Sequence, residues 1–515
     1  MSFLRSRILL QGSHALALGF LLLIVVSLIA ETFWADDGSF SFAAWSNVFA
    51  DVDRWGALLT NSLSALAIAL ASCLPIALFL ATFAFRVTSR LRPWLVGLLV
   101  FGALLPFYVT NSSWITGMGV MYAESIIALG LVHGVASIPL ASVLIGLSLR
   151  SVPRELEETA QLAGASLASI VLRVSLRSAP GGLLASAAWI TLGILTDYSA
   201  SDLLRVRTFA EETYTLFALH QDAREPTLVC LPQIVLFSLF LFPFVGRFAE
   251  RSSGAPARLA PLAFRLGRWQ LPATLAALAL SLLCAGYPIV YLSGKLEASK
   301  SLLHYLEVTG PEILTSIGTA FVTGLLAAIF APKCAWALVR GRGFLRWLTL
   351  SAIVTGLALP APLVGMALIS LFNHPGVLGE VYDSRAILVI AYFVRFFPLA
   401  VLAAVPAIAA IPRRIEDAAI LDGADDATIW WRVLLPLARR ATLGSFLFVS
   451  TLALGELPAS QLVKPPGYET VGTRYFSLVH YGIEGDAAAL CLLSACSAAA
   501  LTVALLATFR KHLRG

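Results

Sequence analysis

Apolar residues in this chain come in long runs separated by short polar stretches, without the strict alternation of a half-buried strand. Twelve runs stand out, near residues 14–31, 58–84, 94–115, 124–147, 180–196, 228–246, 272–293, 313–338, 347–371, 386–408, 441–456 and 486–508. A bilayer core of about 30 Å needs roughly 20 mostly apolar residues per helix, and the runs are close to that length. Backbone groups in lipid must be satisfied within the segment, so each run predicts a helix. The alternation expected of a membrane barrel is absent. The first run follows Arg5 and Arg7 and lacks a small-residue cleavage site after Ala30, which predicts a retained helix rather than a cleaved leader. The expected fold class is all-α, a membrane protein of twelve transmembrane helices.

Composition agrees: 58% of the 515 residues are hydrophobic and 13% charged, with a mean hydropathy of +0.85. A soluble protein of this length would carry far more charge on its surface. The six cysteines, Cys73, Cys230, Cys284, Cys334, Cys491 and Cys496, form no CxxC pair and no Cys/His ligand spacing, so small core residues are expected and no metal site. Charge changes the picture more. Taking the termini and alternate loops as one side of the membrane places 26 of the 36 basic residues there with 9 of the 30 acidic ones, a balance of +17. The remainder has 10 basic and 21 acidic residues, a balance of −11. The excess of Lys and Arg predicts that both termini are cytoplasmic. It also accounts for the basic pI without a nucleic-acid partner.

Two of the loops on the basic side are long, and they repeat each other. Residues 152–177 read VPRELEETAQLAGASLASIVLRVSLR and residues 411–436 read IPRRIEDAAILDGADDATIWWRVLLP. At one offset Pro153 matches Pro412, Ala160 matches Ala419, Gly164 matches Gly423 and Val174 matches Val433. The match extends to Asp197 with Glu456, Ser201 with Ser460, and Pro139 with Pro398. At a slightly different offset Asn61-Ser62 corresponds to Thr315-Ser316. The chain therefore divides into a first half, 1–250, a linker, 251–270, and a second half, 271–515. Each half holds six helices entering from the same side, as parallel repeats do. The linker's Ser252-Ser253-Gly254-Ala255-Pro256 has flexible composition.

Each long loop contains acid–x–Ala–x–x–x–Gly: Glu158, Ala160 and Gly164, then Asp417, Ala418, Ala419 and Gly423. A proline at each helix start costs no hydrogen bond. Acids in the first turn suit the positive helix end. The glycines permit a turn with positive φ or a close contact. The pattern resembles the EAA loop of permeases in binding-protein-dependent ABC importers, with Thr159, Arg177 and Asp417 as departures from it. The resemblance implies an ABC type I importer (MetI-like) permease fold in a bacterial inner membrane. It implies that these loops dock two copies of an ABC ATPase, and that a soluble substrate-binding protein delivers the solute. No GxxxxGK[ST] loop occurs, so the chain is not expected to be an enzyme; ATP and Mg are expected on the ATPase, with no cofactor in this chain.

Residues 196–217 and 455–481 are similar to segments of fused ferric-iron permeases, which makes ferric iron the expected cargo; thiamine, aminophosphonate and polyamine are alternatives. An ion-gradient-driven secondary transporter is a rival from another class, but it predicts no repeated acid–Ala–Gly loop. Charged and polar residues at membrane depth are candidates for the substrate pathway. Arg395 could meet an anion, or pair with Glu456 or Asp197. His133 could line a pathway or be an interior histidine. Asp197 and Glu456, at equivalent helix ends, could line a gate or attract a cation, or cap a helix, or pair with Arg205 or Lys464. Trp34, Trp45, Trp55 and Tyr108 read as interface anchors.

Overall fold

A computed structural model describes residues 2–34, 39–118, 124–252, 262–296 and 302–513. Residues 253–261, part of the expected linker, lie outside them. Apart from two isolated bridges, Trp34 with Phe40 and Val87 with Phe264, the regular structure among the described residues is helical. In chain order the apolar helices are α1 (Ser2–Glu31), α2 (Val52–Phe85), α3 (Arg92–Leu104), α4 (Phe107–Met118), α5 (Ile126–Leu149), α6 (Gly181–Thr196) and α7 (Arg224–Ser252). They continue with α8 (Gln270–Ser293), α9 (Leu302–Arg340), α10 (Gly343–Ala358), α11 (Ala361–Phe372), α12 (Ala386–Ala409), α13 (Leu435–Leu454) and α14 (Glu484–Leu513). Among the described residues seven helices are long and apolar enough to cross a membrane alone, or eleven spans if each of four bent pairs is one; Ala17–Glu31 is a shorter apolar helix.

All twelve apolar runs fall on helices, but the third and ninth are not single rods. α3 turns into α4 through 93° and α10 into α11 through 108°. The breaks fall at Pro106 and Pro360, matching places in the two halves. Proline has no N–H and drives the residue before it out of the helical region. Leu105 and Leu359 are accordingly extended, with ψ of 131° and 118°. Pro75, Pro139, Pro288 and Pro398 stay inside their helices.

Close packing of small residues holds the helices together, as expected where lipid removes the hydrophobic drive for association. Ala65, Ala69, Cys73 and Ala77 form a fully buried stripe on α2. Gly130 and Gly134 of α5 face it so closely that a Cβ would lie 2.8 Å from the Ala65 carbonyl oxygen or 2.1 Å from the Ser72 hydroxyl. One contact recurs in both halves. A Cβ on Gly102 would meet the Pro139 ring at 2.9 Å, and one on Gly356 the Pro398 ring at 2.8 Å.

The chain forms two compact units. One comprises Met1–Arg54, Glu212–Ala255 and Pro311–Thr473; the other comprises Trp55–Glu211, Pro256–Gly310 and Arg474–Gly515. These units are a different partition from the halves of the sequence. In the first unit α1 packs on α10 and α11, and α7 packs on α10 and α12. In the second unit α8 and α14 both pack on α3. The outer helices of each half thus pack on the inner helices of the other. Tyr108 is not an interface anchor. It is 3% exposed, its hydroxyl is 2.9 Å from that of Ser494, and its ring stacks on Tyr475. Trp34 is 53% exposed, as an anchor requires.

Candidate functional site

The two acid–Ala–Gly segments have one geometry. Pro153 caps a helix over Arg154–Leu162, and Pro412 caps one over Arg413–Leu421. Each helix ends at a glycine in the left-handed region, Gly164 at φ 79° and Gly423 at φ 80°. In the first copy Gly164 N–H donates to the Gln161 carbonyl and Ala165 N–H to that of Ala160, both at 3.0 Å. In the second, Gly423 N–H donates to Ile420 at 3.0 Å and Ala424 N–H to Ala419 at 2.9 Å. This left-handed cap satisfies carbonyls that a helix end would otherwise leave unpaired. Open space surrounds both glycines, so the turn and not packing selects them.

The next turn starts the same way in each copy. Ser166 accepts from Ser169 N–H at 3.3 Å and, at the matching place, Asp425 accepts from Thr428 N–H at 2.9 Å. A π-helical turn follows, Ile170–Ser175 and Ile429–Leu434, and leads into α6 and α13. Ala160 and Ala419 are half-buried, and Ala418 and Asp417 are exposed. Glu158 pairs with Arg154 at 2.5 Å across one exposed turn. The tips are apolar and bare: Leu162 is 90% exposed and Leu421 87%.

The acids that anchor these helices are the neighbours of the motif acids. Glu157 pairs with Arg86, just past the end of α2, and Glu416 pairs with Arg340, the last residue of α9, at 3.0 Å. Arg86 also donates to the Leu149 carbonyl and Arg340 to that of Ile411. In the sequence Glu157 and Glu416 read as acids suited to a helix start and Arg86 and Arg340 as part of the basic excess, and their pairing was not foreseen. The available signal was that Arg86 and Arg340 match at the offset that relates Ser62 to Ser316.

The four candidate pathway residues fall into two sets. In one unit, the Asp197 carboxylate accepts from the Asn111 amide at 3.2 Å and from the Ser199 N–H and hydroxyl at 3.0 and 2.6 Å. His133 is near enough for Asp197 to act on it electrostatically. Its buried ring lies 6.0 Å from that of Phe107, and among the described residues neither nitrogen has a hydrogen-bond partner. In the other unit, Glu456 accepts from the N–H groups of Ala459 at 2.7 Å and Ser460 at 3.0 Å, and Arg395 acts on it electrostatically. Tyr392, which matches His133, bonds through its hydroxyl to Ser460 and Thr470. Both acids therefore satisfy the start of a short helix, Ser199–Leu203 or Pro458–Val463. Lys464 is paired instead with Glu469, at 3.2 Å. Among the described residues no group of three or more His, Cys, Asp or Glu is placed to hold a metal ion.

Comparison with known proteins adds the family. Residues 320–511 match the model of the binding-protein-dependent transport system inner membrane component. This segment is thus similar to binding-protein-dependent permease domains. The matched domain includes the whole second acid–Ala–Gly segment, so the first segment is its structural repeat outside the match. A putative 2-aminoethylphosphonate transport system permease protein of Salmonella typhimurium is 27% identical over 206 residues, 38% of this chain and 76% of that protein. An Fe(3+)-transport system permease protein of Haemophilus influenzae is 22% identical over 347 residues, 65% of this chain and 67% of that one. A molybdenum transport system permease protein of Mycobacterium tuberculosis is 28% identical over 156 residues, 29% of this chain and 59% of that one. These relatives are transport permeases, and the apolar helices fit the same multi-pass membrane setting.

Proposed function

We propose that the chain forms the membrane passage of an ATP-driven importer, two permease halves fused as parallel repeats of six helices. Both termini and both acid–Ala–Gly segments then lie in the cytoplasm of a bacterium, beneath its inner membrane, where the basic residues concentrate. The observation that carries this reading is the doubling of one geometry: a proline-started helix, a left-handed glycine stop and a bare leucine tip, occurring twice. A lone exposed leucine is ordinary. Two at matching places, each on a short rigid helix, fit sockets for two copies of one ATPase subunit. Full burial of a leucine contributes about 2 kcal/mol, enough to make each tip a contact anchor.

Transport then follows alternating access. A soluble binding protein delivers the solute from outside. ATP draws the two ATPase subunits together, the short helices move with them, and the passage opens to one side and then the other. Ferric iron is the proposed cargo, supported by the iron-transport relative, whose match extends over 65% of this chain. A 2-aminoethylphosphonate cargo is the second reading, supported by the Salmonella relative. Asp197, His133, Arg395 and Glu456 are the proposed polar lining of the pathway.

Reconstitution decides between the cargoes. The chain, with the ATPase that co-purifies with it and the binding protein encoded beside it, is placed in liposomes loaded with ATP. Uptake of radiolabelled ferric citrate, and not of 2-aminoethylphosphonate, is expected. Uptake of the phosphonate alone would replace the cargo, and uptake without ATP under an ion gradient would overturn the mechanism.

A further inference from the structure

The paired anchors behind the short helices are alike in one respect and unlike in another. The first ion pair is fully buried and the second largely so: side-chain exposures are 1% and 0% for Arg86 and Glu157, and 8% and 13% for Arg340 and Glu416. A buried charge is costly unless paired and hydrogen-bonded. Each pair therefore fixes its short helix against the end of α2 or α9. The remaining carboxylate oxygen is used differently in the two halves. Glu157 accepts from the Ser175 hydroxyl at 2.7 Å, and Ser175 is the last residue of the π-helical turn that leads to α6. Glu416 accepts from the Trp336 indole N–H at 3.1 Å, one turn back on α9 itself.

Neither half can borrow the other's arrangement. Leu434 stands where Ser175 would be and has no hydroxyl. Thr82 stands where Trp336 would be, and its hydroxyl donates to the Leu78 carbonyl. Through the bonds of its glutamate the first anchor joins three elements: the end of α2, the Arg154–Leu162 helix and the π-helical turn. The second joins two, α9 and the Arg413–Leu421 helix.

We propose that Glu157 and Glu416 are positioning residues that carry displacement of the short helices into the membrane, and that they do so unequally. Displacement in the first half passes to α2 and, through Ser175, to α6. Displacement in the second half passes to α9 alone through its anchor. The inference rests on the reading of the short helices as ATPase sockets.

The test has two readouts on the full chain in lipid nanodiscs. The first, amide hydrogen exchange, needs no partner. Glu157→Gln is expected to speed exchange about tenfold in both 154–162 and 170–175, the loss of a charge-assisted bond. Ser175→Ala, which leaves the ion pair in place, is expected to loosen 170–175. Glu416→Gln is expected to loosen 413–421 while 429–434 stays within about twofold of wild type. Equal loosening of both π-helical turns by the two glutamine variants, or no loosening by either, overturns the asymmetry.

The second readout separates transmission from simple support. Spin labels at Leu63 on α2 and Leu184 on α6 report their separation with and without ATP and vanadate, in complexes holding captured ATPase. Glu157→Gln is expected to capture ATPase at the wild-type amount and to lose the nucleotide-driven change. A change of wild-type size in that variant overturns the proposal. If wild-type chain captures no ATPase, the importer reading fails, and hydrogen exchange still tests the anchors alone.

Discussion

Gly164 and Gly423 are the residues at which the two segments tolerate least change. Left-handed backbone costs an L-residue roughly 1–2 kcal/mol, and asparagine bears it better than most. With φ of 79° and 80° and open space around each, a side chain fits but its backbone does not. Gly164→Val is expected to unravel the cap and shift the Leu162 tip, whereas Gly164→Asn keeps both. Pull-down of the ATPase checks this: the valine variant loses most capture and the asparagine variant keeps most. Equal capture by the two would mean that the cap does not position the tip. These glycines were legible in the sequence because spacing alone brings them out, twice. The Arg86–Glu157 pair was not, because it joins residues 71 positions apart in the chain. Asp197 and Glu456 were seen as acids at equivalent ends, and the alternative that the geometry selects is helix capping rather than pairing with Arg205 or Lys464.

Among the elements, the breaks at Pro106 and Pro360 and the crossings at Gly102–Pro139 and Gly356–Pro398 recur in both halves. Proline content did not disclose the breaks, since Pro75, Pro139, Pro288 and Pro398 sit within unbroken helices whose neighbours re-satisfy the freed groups. What separates the two classes is the extended residue ahead, Leu105 or Leu359, a backbone choice that hydropathy does not record. The glycine crossings carry their own expectation. Gly102→Leu forces side chain into the Pro139 ring and should destabilise by about 1–3 kcal/mol. In detergent this reads as a fall of several degrees in the unfolding temperature. Adding Pro139→Ala should recover part of it; an unchanged midpoint for Gly102→Leu would mean the crossing is not tight.

At the scale of the whole molecule, two descriptions of the chain coexist. By sequence it is two halves; by packing it is two units, each drawing outer helices from one half onto inner helices of the other. The first was readable from offsets. The second was not, because a helix facing lipid and a helix facing another helix are both apolar, and pattern alone does not say which neighbour a given face meets. The importer reading needs both descriptions, since a fused chain must present two equivalent sockets. Site-directed cross-linking tests it most directly. Leu162→Cys and Leu421→Cys are made separately in a chain whose six native cysteines are replaced, and each is treated with a short thiol cross-linker in native membranes. The account predicts that each variant gives one adduct, with the same ATPase subunit, and that a membrane-impermeant thiol reagent added from outside labels neither. Labelling of either position from outside, or adducts with no ATPase at both, would contradict it.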